Sequence, residues 1–140
     1  MKILITLFMI PFFMVNKCNM EKMETLNSKI EYEVTRRGSY KKILIQNQKM
    51  FFSDKRDELG VEINVSDKDW QEIITLFEAV EAEKIEGLTG TNINRATDRA
   101  SHAHFSIEKN GKKYSTNTFD HGNPPAILEK LVTKIASFLK

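Results

Sequence analysis

The strongest constraint on this chain is a two-residue period that recurs along most of its length. Ile30, Tyr32 and Val34 alternate with Glu31, Glu33 and Thr35. Leu59, Val61, Ile63 and Val65 repeat the pattern, and Ala103, Phe105 and Ile107 alternate with His102, His104, Ser106 and Glu108. Successive side chains of a strand point to opposite faces, so each segment reads as a strand with one buried and one wet face. Sheets with one solvated face are antiparallel. The turn residues agree. Asn110-Gly111 is a two-residue hairpin signal, Asn47-Gln48 is a second tight turn, and Arg37-Gly38-Ser39 separates the first two strands.

Two stretches change period. Trp70, Ile73, Ile74, Phe77 and Val80 lie three and four apart, which predicts a helix over 67–82 with one apolar stripe. Ser66 stands where it can accept the amide three residues on, and Asp69 is a short version of the acid that completes a capping box. The second stripe is Ile127, Leu128, Leu131, Val132, Ile135, Phe138 and Leu139, with Asn123 as cap and Pro124 at the first helical position. The order is then β-β-β-β-α-β-β-α. The expected architecture is an α+β two-layer sandwich: an antiparallel sheet of about five or six strands, with both helices on one face. In the Asn110-Gly111 hairpin, Phe105 faces Thr116, Ala103 faces Thr118 and His102 faces Phe119.

The amino terminus is of another kind. Ile3 to Val15 carry no charge, after a positive start at Lys2. As a helix this run is about 20 Å long, short for a hydrocarbon core of about 30 Å. Its form is that of an export signal. The chain's only cysteine, Cys18, follows three residues after Val15, where a lipoprotein signal places its acylated residue. Lys17 stands where that signal has a small residue. Export with lipidation at Cys18 is the favoured reading. Ordinary cleavage or an uncleaved anchor, and a buried segment of a cytoplasmic protein, are the alternatives. The chain then divides into a signal over 1–17, a tether over 18–28 and one domain over 29–140.

Charge excludes one large class of partner. Lys and Arg total 21 and Asp and Glu 19. Loss of Lys2 and Lys17 with the signal leaves a formal charge of zero, which gives no electrostatic reason to seek nucleic acid. One cysteine excludes an internal disulfide. No Gly-rich phosphate loop, nucleophile elbow or His-Glu-x-x-His pattern occurs, and no cofactor is implied.

With its signal, its Tyr40–Phe52 hairpin, the helix after Ser66 and the Asn110-Gly111 hairpin before the last helix, the chain resembles the small lipoproteins of Bacteroidota-type bacteria, a group without assigned chemistry. The resemblance implies location and architecture only.

The residues available for function are few. The aperiodic loop 87–99 brings Arg95, Asp98 and Arg99, and long loops are often used. All three histidines fall near one hairpin: His102 and His104 share a strand face, and His121 follows Asp120 on the returning strand. The expected function is non-enzymatic: an envelope protein, lipid-anchored at Cys18, that contacts another protein or a cell-wall component through its polar sheet face or this loop. The alternative is a metal-binding or hydrolytic periplasmic enzyme built on His102, His121 and Asp120, which requires those three side chains to converge.

Overall fold

A computed structural model of the chain describes residues 28–90 and 101–139. The expected signal over 1–17, Cys18, the expected tether up to residue 27, and Arg95, Asp98 and Arg99 lie outside the described residues.

The first four strands form a meander: β1 (Lys29–Arg36), β2 (Ser39–Gln46), β3 (Lys49–Ser53) and β4 (Val61–Ile63). Both central residues of the β2–β3 turn, Asn47 and Gln48, have positive φ (53° and 58°). That is the twist a two-residue hairpin requires. Helix α1 (Asp67–Glu78) follows, and the chain then enters β5 (His102–Lys109), β6 (Lys112–Ser115), β7 (Phe119–Asp120) and α2 (Glu129–Ala136). All the strand pairings are antiparallel. β5 pairs with β1, so the order is β4-β3-β2-β1-β5-β6, with β7 continuing beside β5.

The core lies between the sheet and the two helices. Across the register, Ile45, Ile30 and Ile107 form one inner row; Ile43, Tyr32 and Phe105 form the next. Ile73, Ile74 and Phe77 from α1 and Leu131, Val132 and Ile135 from α2 are buried as well. Lys134 of α2 bridges Asp69 (2.7 Å) and Glu72 of α1, tying the helices along their wet side. The Ser66 cap of α1 forms as expected, while Asp69 takes the Ser66 hydroxyl in place of the Ser66 backbone amide that a capping box would use. The Asp69 amide donates to Ser66 Oγ at 3.2 Å, and the Ser66 hydroxyl donates to Asp69 Oδ2 at 2.6 Å.

Several elements differ from their sequence patterns, each for a physical reason. β4 is three residues long rather than seven, and Leu59 and Val61 are exposed at 55% and 75%. Gly60 takes φ +91°, which breaks the extended run between them. Helix α1 ends at Glu78, and a 3-10 turn covers Ala82–Ile85. At about 100° per residue, an unbroken helix would hold Ala82 about 140° away from Phe77; the break lets Ala82 and Ile85 both be buried. Helix α2 begins later than expected, and Asn123 does not cap it. Pro124 precedes a proline and so is steered away from helical backbone; Pro125 has ψ 140°, and a 3-10 turn over Ala126–Leu128 leads into the helix. The Asn123 backbone N–H closes a turn on Asp120 O at 2.9 Å. Ile127, expected in the stripe, is 54% exposed on that 3-10 turn.

The pairing of the last hairpin also departs from its expected register. Ser106 pairs with Ser115, but Ala103 pairs with Phe119 and His102 with Asp120. One extra residue therefore lies on the returning strand between Ser115 and Phe119: a bulge. The Thr116 side chain spans the irregular stretch, its Oγ1 accepting the Phe105 amide (3.2 Å) while its own amide donates to Phe105 O (3.0 Å). Had the same residues paired in register without the bulge, Phe119 would stand opposite His102 on the wet face. A one-residue shift exchanges faces, and Phe119 is 1% exposed.

Candidate binding face

Both helices cover the same side of the sheet, so its other side is the place to seek function. Alternation fixes what stands there. Glu31 neighbours Leu44 on β2 and Ser106 on β5; Glu33 neighbours Lys42 and His104; Thr35 neighbours Tyr40 and His102. The face is polar, as its sequence requires, but its middle is less open than expected. Leu44, Lys42, Ser53 and Ser106 are buried. Glu31 accepts Lys29 at 2.8 Å and Lys113 at 3.0 Å across it. Burial alone would raise the Glu31 carboxyl, yet the two ammonium partners outweigh it and hold the carboxyl at about 2.

The end of the sheet reached by the carboxyl terminus of β1 carries the more distinctive contacts. The Tyr40 hydroxyl donates to Glu33 Oε1 at 2.9 Å. The Arg56 guanidinium lies 4.9 Å from the Tyr40 ring centroid, a cation–π contact. The Lys42 ammonium donates to Arg56 O at 3.2 Å, which fixes the 54–58 loop over the strands. Burial, reinforced by the Glu33 carboxylate, pushes the Tyr40 hydroxyl well above the ordinary phenol range, so this tyrosine is a neutral hydrogen-bonding group.

The histidines do not assemble as the alternative reading requires. His102 stands directly across from Asp120, as Cα partners on the uncovered face. His104 stands across from Glu33. His121, one residue beyond Asp120, turns to the core side: its Nδ1 lies 2.7 Å from the hydroxyl of fully buried Tyr32, with ring centroids 6.1 Å apart. Burial, with a smaller contribution from Lys41, holds the His121 imidazole below its ordinary value. The neutral tautomer with its proton on Nε2 lets Nδ1 accept from Tyr32. His102, Asp120 and His121 are thus split between the two sides of the sheet. Among the described residues, no group of three His, Cys, Asp or Glu side chains is placed to hold a metal ion.

Of the predicted site residues, the fold brings together His102, His104 and Asp120 and separates His121. Sequence reading missed the Tyr40–Arg56 and Tyr32–His121 pairs. A tyrosine at an inward strand position is a signal for the second, because a buried hydroxyl needs a partner; nothing in the spacing names His121 as that partner. Comparison of the chain with protein-family models, with curated proteins and with solved structures finds no match.

Proposed function

We propose that the protein is an exported, lipid-anchored envelope protein, non-enzymatic, that holds a protein or cell-wall partner on its uncovered sheet face. The observation that supports this reading best is the Tyr40–Arg56 pair at one end of that face. Tyrosine and arginine carry a disproportionate share of binding energy at protein interfaces, and here both are held in place before any partner arrives. Position supports it too. β1 runs eight residues from its start beside Ser28 to Arg36, about 25 Å at roughly 3.3 Å per residue. A domain tethered through residues 18–28 therefore presents the Tyr40–Arg56 end on the side away from its anchor.

Two measurements test the parts of this proposal. Cys18→Ser in the full chain abolishes metabolic labelling with palmitate and moves the protein out of the membrane fraction. A full-length chain that keeps residues 1–17 and stays in the cytosol defeats the envelope assignment. A photo-crosslinking side chain at position 40, in intact cells, gives a discrete adduct that Arg56→Glu removes. An adduct unchanged by Arg56→Glu places the contact elsewhere.

A further inference from the structure

A wide cleft of the described surface lies away from the Tyr40–Arg56 end. It sits where the β2–β3 turn, the edge strand β4 and the start of α1 meet, with a volume of about 880 Å³. That is within the range of roughly 300–1,000 Å³ typical of small-ligand sites. We infer that this cleft binds a neutral oligosaccharide of about two or three units, with the indole of Trp70 as its platform.

The lining carries the argument. Trp70 packs against the core and also borders the cleft, so part of its ring system is available there. The face of an indole is electron-rich, and a pyranose offers it a row of weakly positive C–H groups. Around it stand three exposed amides, Gln48, Asn64 and Gln71. Among the described residues none of these amide groups has a hydrogen-bond partner. Each amide offers two donors and one acceptor oxygen, which suits adjacent hydroxyls that both donate and accept. Six of the ten lining residues are polar or charged, too many for an apolar ligand. Charge selects against acids: Lys49 is already engaged by Glu62 at 2.9 Å, which leaves Asp67 as a net negative charge at the rim. An acidic sugar or a phosphate would meet that carboxylate while the one lining cation, Lys49, is paired with Glu62.

The chain contains one tryptophan. Its emission therefore reports Trp70 alone, and the full-length protein can be titrated directly. The expected result is a saturable change in emission with N,N′-diacetylchitobiose or cellotriose, with Kd on the order of 1 mM or tighter, and none with a galacturonic acid trimer. Asn64→Ala and Gln71→Ala keep the reporter and are exposed, so they fold; each weakens binding about two- to tenfold, the range of one lost hydrogen bond. Trp70→Ala, followed by calorimetry, loses binding, and circular dichroism checks its fold. The inference is overturned if no neutral oligosaccharide moves the emission at about 10 mM, if both amide variants bind as tightly as the parent chain, or if an extended valine-alanine hexapeptide saturates the cleft and the sugars do not. It stands on the cleft alone. A cytosolic protein that bound cellotriose would defeat the envelope assignment and leave this inference intact.

Discussion

The Tyr32 hydroxyl shows how one side chain couples the core to solvent pH. It sits at full burial with the His121 Nδ1 at 2.7 Å, and burial raises its own pKa beyond reach of ordinary titration. His121 is shifted downward from 6.5. A histidine with a lowered folded-state pKa contributes stability above its unfolded value, and that contribution is lost as pH falls through the folded value. Protonation also removes the acceptor that Tyr32 uses. We therefore expect the parent chain to lose Tm between pH 7.5 and pH 5 by more than His121→Gln does, in paired thermal melts. Tyr32→Phe should cost about 0.5–1.5 kcal/mol in urea unfolding at neutral pH. A second residue-scale constraint is steric. A Cβ on Gly60 would lie 2.1 Å from Phe52 O, on backbone at φ +91°. Gly60→Ala should destabilise the domain by at least about 1–3 kcal/mol through that strain, read as a lower denaturant midpoint with an unchanged slope.

At the scale of elements, the bulge between β6 and β7 decides which side chains face the core. Thr116 to Thr118 hold one residue more than an uninterrupted hairpin allows, and Phe119 is inward because of it. Insertion of one residue after Asn117, with the one-residue bulge kept, moves Phe119 opposite His102. It should turn Phe119 to the wet face and Asp120 to the core side, exposing an aromatic ring and placing a carboxylate among apolar side chains at once. The expected loss is about 3 kcal/mol or more, measured by chemical denaturation; a variant within about 0.5 kcal/mol of the parent would mean that the bulge is not what places Phe119. Both edges of the sheet also follow from element-level features. Gly87 donates to Ser115 O at 2.9 Å and Asn117 to Leu88 O at 2.9 Å, so β6 is covered by the chain leaving the 3-10 turn. β4 terminates the other edge and borders the Trp70 cleft.

For the molecule as a whole, one core serves both layers. Leu131, Val132 and Ile135 of α2 are buried in the same cluster as the strands and α1. Burying such a side chain contributes roughly 1.5–3 kcal/mol each, against a net stability of about 5–15 kcal/mol for a typical domain. Truncation after Lys130 should therefore unfold the entire domain, with loss of the near-ultraviolet dichroism of Trp70, which lies on the other helix. A truncated chain that kept a cooperative melt would show that α2 is an appendage.

The sequence by itself determined most of the strand segments, the hairpin turns and the cap at Ser66, because period and turn chemistry are local properties. The uncovered face was legible for the same reason: Glu31, Glu33, His102 and His104 follow from alternation alone. Only tertiary structure decided the remainder. The ends of both helices were set by which residues had to reach the core, against their local periodicity. The register beyond Thr116 was set by the burial of Phe119, a contact with strands and helices distant in the chain. The partner of Tyr32 lies 89 residues away, and the Trp70 cleft is assembled from a turn, an edge strand and a helix start. Spacing along a chain carries no information about such meetings; they arise when burial of apolar surface outweighs the preference of each segment taken alone.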